Sequence, residues 1–507
     1  MKIATKSKIY EIDSYAENTL GIPAHILMYN AGASAAEHIK KLLGDSGFVC
    51  ILCGKGKNGG DGYVIAGELF DAGYSVCVFE SECTARDASS ALYREKLLKK
   101  TADVYSIADK ERVGKALLSA DVIIDALFGV GFRGGMPACE AYAVELANST
   151  DALRIAVDIP SGVEADSGRV SDVCFSAHHT MTMEYIKRGM LIYPGRSYTG
   201  NIHICSIGVD RKAVEENIEF SDRCVTADLI RECVISRPAV SHKGTFGRLL
   251  CICGSDGMPG AAVLSCEGAL RMGVGLCELV CTEKTEAVVA CRLPETVFSV
   301  VDSIEHWTDD DIEKILSRAD AADAVVIGCG ATPHKNLRRL LKKLLGKEGC
   351  PVLIDADGLN CIGGDTRMLS KSKRAVVITP HPKELSRLCG IGVSDILCDA
   401  YTSADSFCRE CGAVVLLKGA STVIASPDGR RFINVTGNSG LAKAGTGDVL
   451  SGMIGALLAR GTEPAVAAAL GAHIHGAAAD LLKEEIGECG ILAHQIPLYA
   501  AKYLAKL

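Results

Sequence analysis

The stretch 48–62, Phe48-Val49-Cys50-Ile51-Leu52-Cys53-Gly54-Lys55-Gly56-Lys57-Asn58-Gly59-Gly60-Asp61-Gly62, passes from six apolar residues straight into a glycine-rich loop. Six apolar residues without alternation read as a strand buried on both faces, which belongs in a parallel sheet. The loop then leads into a helix expected from Tyr63. Gly54-x-Gly56-x-x-Gly59 matches a dinucleotide fingerprint, and Glu80, closing the next apolar run, stands where a ribose-binding acid would stand. Asn58, Gly60, Asp61 and Gly62 exceed what a pyrophosphate turn requires. Successive glycines admit backbone N–H groups to a phosphate, and Asn58 adds an oxygen suited to a cation.

Outward from this loop the same alternation continues. Helices are expected over 7–19 and 23–43, and strands over 75–80, 121–125 and 154–158. Asp125 opens the loop Leu127-Phe128-Gly129-Val130-Gly131-Phe132-Arg133-Gly134-Gly135 after one strand, and Asp158-Ile159-Pro160-Ser161-Gly162-Val163 follows another. An aspartate there can simply cap a helix. Three polar loops on the carboxyl edge of one doubly wound sheet point instead to a ligand site.

The polar, broken segment 210–241, with Pro238, marks a boundary. A second α/β series follows, with strands expected over 248–253, 276–281, 324–327, 352–354, 375–378 and 414–417 and helices over 260–272, 337–345, 383–388, 403–410 and 447–459. Its decisive turn is Gly445-Thr446-Gly447-Asp448. Glycines at a helix start leave N–H groups unpaired, the helix dipole favours an anion, and Asp448 can accept a proton from an attacking hydroxyl. Three more loops follow strands: Lys418-Gly419-Ala420-Ser421-Thr422 for nucleotide phosphates, Asp355-Ala356-Asp357 with acids suited to magnesium, and Thr379-Pro380-His381, whose histidine is stiffened by prolines.

Composition excludes several classes. The chain has 507 residues, enough for two or three domains, with net charge −8 and no basic block. The densest cationic run, Arg338-Arg339-Leu340-Leu341-Lys342-Lys343, reads as the solvent face of a helix rather than a nucleic-acid patch. Aromatic residues are 5% and there is one tryptophan, too few for base-stacking platforms. The amino terminus lacks a secretory pattern, and no run of about twenty uninterrupted apolar residues occurs, so no membrane span and a cytoplasmic location are expected. The 23 cysteines include Cys50-x-x-Cys53 and Cys408-x-x-Cys411. Neither pair has a second pair of ligands nearby in sequence, so the cysteines read as reduced core filler.

GKGKNGGDG (54–62), DALFGVGFRGG (125–135) and DIPSGV (158–163) together resemble the amino-terminal domain of the YjeF family, an epimerase of hydrated nicotinamide nucleotides, over residues 1–215. LMYNAG (27–32) is similar to the family's LMENAG, with Tyr29 in place of glutamate. HKGTFGR (242–248), ICGS (252–255), DADGLN (355–360), TPHPKE (379–384), LKGAST (417–422) and AGTGDVLSG (444–452) resemble its ribokinase-like carboxy-terminal domain, the ADP- or ATP-dependent dehydratase of hydrated NADH and NADPH, over 221–507.

The resemblance implies an α/β protein: an amino-terminal Rossmann-like doubly wound sheet followed by a ribokinase-like α/β domain. It implies K+ on Asn58, Asp125 and Ser161. Substrate phosphates fall to Lys57, Asn58, Gly59, Gly60 and Asp61 and to Gly129, Val130, Gly131, Phe132, Arg133, Gly134 and Gly135, with Asp158 as a catalytic residue at the nicotinamide ribose. In the second domain it implies Ala261, Gly330, His381 and Asp448 on the hydrated substrate, Asp448 as base, and Lys418, Gly419, Ala420, Ser421, Thr422 and Gly447 on the nucleotide, with ADP as co-substrate and Mg2+. Partners are then small molecules, with no nucleic acid and no membrane, in a homo-oligomer. Two positions depart from the family: Lys57, usually asparagine, and Cys329 in Gly328-Cys329-Gly330, commonly Gly-Pro-Gly. Three alternatives stand beside this reading: a vitamin-precursor kinase fused to a nucleotide-binding domain, an NAD-dependent oxidoreductase using Gly54 to Gly59, and a non-catalytic scaffold.

Overall fold

The computed structural model describes residues 1–44, 46–82, 87–100, 103–233 and 237–507; residues 234–236 of the segment read as a boundary lie outside these. The chain divides into two compact units, Lys2–Asp222 and Arg223–Leu507, with Met1 counted in the second.

The first unit is built on seven parallel strands in the order Val104–Ser106, Ser75–Glu80, Phe48–Cys53, Val122–Ala126, Leu153–Val157, His179–Met183, Asn201–Cys205. Phe48–Cys53 sits at the switch point, where the order reverses. Its side chains alternate between two cores: Val49, Ile51 and Cys53 on one face, Cys50 and Leu52 on the other, all fully buried. Burying each Val, Ile or Leu contributes roughly 1.5–3 kcal/mol, so the strand is held from both sides. Cys50 and Cys53 therefore point to opposite faces and share no site.

The following helix begins earlier than the sequence indicates, at Lys57 rather than Tyr63. Gly59, Gly60 and Gly62 lie within its first two turns and are packing positions. A Cβ on Gly59 would stand 1.9 Å from the Gly54 carbonyl oxygen, one on Gly60 2.5 Å from the Met28 sulfur, and one on Gly62 2.7 Å from the Cys53 sulfur.

The second unit carries a ten-stranded sheet in the order Val297–Val300, Leu276–Cys281, Arg248–Ile252, Ala324–Ile327, Val352–Ile354, Val376–Ile378, Val414–Leu417, Thr422–Ala425, Arg431–Asn434, Asp222–Cys224. It is parallel through Val414–Leu417 and turns antiparallel at Thr422–Ala425, so Thr422 belongs to a strand rather than to the preceding loop. One core fills each face. Helix Lys335–Leu345 buries Leu337, Leu340, Leu341, Leu344 and Leu345 and turns its arginines and lysines outward, to Asp365, Asp309 and Glu313.

Helix Pro464–Gly490 was not anticipated. It is the one described helix long and apolar enough to cross a membrane, and 83% of its apolar window is buried inside the unit, as in the core helix of a globular domain. No disulfide joins any described cysteine.

Candidate active sites

In the first unit the switch-point strands converge on a cavity of about 700 Å³, lined by Lys57, Asn58, Asp61, Gly129, Val130, Gly131, Phe132, Arg133, Gly135 and Asp158, among others. Gly134 stands exposed in the same loop, and Gly59 and Gly60 lie beneath it as helix packing. Asp158 has φ +67°, a left-handed backbone that a non-glycine residue adopts only when its surroundings impose it. Its N–H donates to Met181 O at 2.7 Å, and its carboxylate pairs with Lys187, which is wholly buried. Lys187 also donates to Thr182 Oγ1 at 2.9 Å and Met183 O at 3.0 Å. Sequence reasoning missed this lysine. It is one of three charged residues, with Glu184 and Arg188, in MTMEYIKRG (181–189), and nothing in the string singles it out.

Burial, then the neighbouring Asp158 charge, holds the Asp61 carboxyl well above the usual carboxylate range. The cavity thus sets a carboxyl whose burial favours the neutral form beside an aspartate paired with a lysine, an arrangement able to give and take a proton.

Asp125 is fully buried. It accepts from Ser161 N at 2.7 Å, Ser161 Oγ at 2.7 Å and Leu127 N at 3.1 Å, and no lysine or arginine pairs with it among the described residues. Burial pushes it up to about 6, with the Ser161 and Leu127 hydrogen bonds working against that. Asn58 is buried with both side-chain amide atoms unpartnered, and a Cβ on Gly129 would lie 3.3 Å from Asn58 Cβ and 3.2 Å from Asp158 Oδ2. An orphaned amide oxygen and a buried carboxylate without a counter-cation fit a monovalent, oxygen-liking ion.

Two residues read from the sequence are engaged by the protein itself. Glu80 accepts two hydrogen bonds from Arg94, each 2.7 Å, and one from Tyr63 OH at 2.9 Å, so it is engaged by the protein rather than offered to a ribose. Lys57 pairs with Asp13 at 3.0 Å, tying the cavity rim to helix Lys6–Asn18.

In the second unit, Asp448 lies in the first turn of helix Thr446–Ala459, after Gly445 at φ +91°. Burial, then the charge of Asp355, lifts its carboxyl to about 6; a Cys329 hydrogen bond and Lys418 act in the opposite direction. Asp355 is the hub. Its oxygens accept from Lys418 Nζ at 2.9 Å and Ser451 Oγ at 2.7 Å, with Cys329 Sγ at 3.9 Å. Burial alone would raise Asp355, but Lys418 and the hydrogen bonds outweigh it and keep the carboxylate below its usual range. Gly447 lies over this pair: a Cβ there would be 3.5 Å from Lys418 Nζ.

Lys418 also reaches Glu384 at 3.9 Å. His381 Nδ1 accepts from the backbone N–H groups of Lys383 and Glu384, and the Glu384 carboxylate accepts from His381 N at 2.8 Å. This capping box leaves the ring hydrogen on Nε2 and fixes the ring's direction. Gly330, at φ +61°, packs on Ala261, since a Cβ would come within 2.6 Å of the Ala261 methyl. Beside them a cavity of about 290 Å³ is lined by Gly254, Ser255, Met258, Trp307 and Thr332. Gly419, Ala420, Ser421 and Thr422 follow Lys418, where Thr422 Oγ1 donates to Gly419 O at 3.2 Å.

Comparison with known proteins covers both halves. The family model described as YjeF-related protein N-terminus matches residues 24–189, and that described as NAD(P)H-hydrate dehydratase matches 249–501. The chain is 37% identical to the bifunctional NAD(P)H-hydrate repair enzyme of Moorella thermoacetica, over 97% of this chain and 94% of that one. It is 35% identical to the enzyme of that name from Escherichia coli, over 94% and 89%. Among solved structures, the ADP/ATP-dependent NAD(P)H-hydrate dehydratase of Bacillus subtilis, co-crystallised with ATP/Mg2+, matches 55% of this chain and 97% of its own at TM-score 0.50 and 33% identity.

Proposed function

The chain belongs to the family of bifunctional NAD(P)H-hydrate repair enzymes, and on that premise we propose how its two sites divide the work. Hydrated NADH or NADPH carries water across the C5–C6 bond of the nicotinamide ring and cannot donate hydride. The first unit interconverts the two epimers at C6; the second dehydrates the S epimer with a nucleotide, giving NAD(P)H, AMP and phosphate when ADP is the donor.

C6 carries a hydroxyl and the ring nitrogen. As the hydroxyl proton is taken, C6 becomes an aldehyde carbon and the C6–N1 bond breaks, a proton being given to the nitrogen. Reclosure on the other face, with both protons returned, inverts the centre. Asp158, oriented by Lys187 and by its constrained backbone, is the acceptor at the ribose end of the ring, and Asp61 the neighbouring donor. N–H groups of the helix start at Lys57, with Gly129 to Gly135 opposite, hold the substrate phosphates. Asn58, Asp125 and Ser161 would hold K+, which when bound supplies the positive charge that the buried Asp125 lacks.

In the second unit Asp448 takes the proton of the C6 hydroxyl. The oxygen then bonds to the terminal phosphorus of the nucleotide as the bond to the bridging oxygen breaks. Loss of a C5 proton expels phosphate and restores the double bond. Lys418 and the following Gly419 to Thr422 segment, with Gly447, hold the nucleotide, while Ala261, Gly330 and the Nε2 side of His381 hold the ring. Mg2+ bound with the nucleotide would neutralise phosphate charge, with Asp355 and Asp357 the nearby hard oxygen ligands.

The observation that carries the reading is Asp448: a carboxyl lifted to about 6 at a helix N-terminus, beside the buried Asp355 and its half-buried partner Lys418. The test supplies a mixture of both epimers of hydrated NADH with Mg2+ and ADP or ATP, and follows recovery of NADH absorbance. Complete recovery supports both activities. No recovery with either nucleotide removes the dehydratase, and a stop at the S fraction, after correction for spontaneous epimerisation, removes the epimerase.

A further inference from the structure

Three thiols in the second unit converge away from its active site. Cys251 comes from strand Arg248–Ile252, Cys277 from the adjacent strand Leu276–Cys281, and Cys266 from helix Pro259–Arg271, which covers that face. All three are 0% exposed. The Cys251 and Cys277 sulfurs are 4.0 Å apart, and all three lie within 4.8 Å of one another. Filling a core asks only that each position hold a small apolar group; it does not ask three sulfurs from three elements to face one point.

We propose that Cys251, Cys266 and Cys277 form a buried trigonal site for a soft monovalent cation of the Cu(I) or Ag(I) kind. A metal–sulfur bond of about 2.3 Å in a trigonal plane sets the sulfurs about 4.0 Å apart, the separation already present between Cys251 and Cys277. Thiolates select soft metals. A closed zinc site takes four ligands, and among the described residues three donors converge here. Charge points the same way, because an apolar core penalises any net charge it encloses. One monovalent cation that displaces one proton, leaving one thiolate and two neutral thiols, keeps the site neutral. A divalent ion would have to displace two.

Cys253 lies on the same strand face as Cys251 and is buried in the same core as Cys251 and Cys329. Cys329 lies 3.9 Å from Asp355 in the dehydratase site. These two thiols offer soft donors between the dehydratase site and the three-sulfur cluster. The proposal rests on these thiols alone and does not depend on the reaction assigned above.

The test uses the reduced full-length chain under anaerobic conditions, with accessible thiols, Cys291, Cys398 and Cys489 first among them, capped by iodoacetamide. Silver ion is added, excess is removed by a small-thiol competitor, and retained silver is measured by mass spectrometry alongside proton release. The wild type is expected to retain one silver per chain, release one proton per ion and unfold at a higher temperature. Cys266→Ala and, separately, Cys277→Ala should lose that silver while keeping dehydratase turnover. Equal retention in wild type and a folded variant, or none in the wild type, overturns the site. Should neither variant fold, the copper X-ray absorption spectrum of the Cu(I)-loaded wild type decides: three sulfur neighbours support the site, and fewer, or nitrogen and oxygen neighbours, overturn it.

Discussion

Replacing Asp448 by asparagine should make the second unit more stable at neutral pH while stopping its chemistry. The carboxyl is lifted from 3.8 to about 6 by burial and by Asp355. The folded state therefore holds a proton that the unfolded chain releases. In the window between those two values stability falls as pH rises, and above about 6 the full cost of an ionised Asp448 is present. Roughly two pKa units at about 1.4 kcal/mol each is about 3 kcal/mol; residual hydration of a partly buried group reduces this to about 2 kcal/mol.

Asparagine keeps the shape and drops the charge. The melting transition of the second unit, followed by calorimetry, should rise by roughly 4–6 °C at pH 7.5, and most of that gain should vanish at pH 4, close to the unfolded value, where the folded state keeps its proton and the unfolded chain is only about half ionised. Turnover of the S epimer should fall by roughly 10²–10⁴-fold, the span of general-base contributions, with ADP binding kept. A variant no more stable than wild type at pH 7.5, or equally stabilised at both pH values, would show that Asp448 is not strained by burial and refute its assignment as a base tuned toward neutrality.

Other expectations follow from the same geometry. Cys329→Ala removes a donor to the Asp448 carboxylate, so the acidic limb of the dehydratase pH–rate profile should move to higher pH; an unmoved limb means that the thiol does not tune the base. Lys187→Met leaves Asp158 buried without its cation, which should cost the first unit about 3–5 kcal/mol and end epimerisation, while pure S epimer is still dehydrated at the wild-type rate. Epimerisation should slow when K+ is exchanged for tetramethylammonium, and Asp125→Asn should abolish the response to K+; identical rates in both salts would exclude the cation. Lys57→Asn should change stability by less than about 1 kcal/mol, because its pair with Asp13 is half exposed, and calorimetry of the first unit measures this directly.

Strand positions and loop chemistry were legible because apolar runs such as Phe48–Cys53 end abruptly in glycine or acidic residues, and that is where a doubly wound sheet places its site. The start of the following helix was not legible. Glycines lower helix propensity, so Lys57 to Gly62 read as loop, yet close packing on Gly54, Met28 and Cys53 imposes helix there. Lys187 was invisible because its importance lies in burial beside Asp158, which neither motif nor spacing records. His381 was read as a ligand, and its ring proved to be a helix cap as well, a role that follows from Glu384 three residues on. Among the acids of DADGLN, nothing in the string separates Asp355 from Asp357; only Lys418 and Ser451, distant in sequence, single out the first.

The crowding around Gly59, Gly60 and Gly62 bears on how relatives of this chain should be judged. Selection for a foldable switch-point helix is enough to preserve those glycines, so a descendant that had lost all turnover would still display them. Their persistence is a record of architecture, not of activity. A chain that keeps the glycine string but has lost Asp158, or the lysine behind it, should be sorted with the pseudoenzymes, however well its loop aligns.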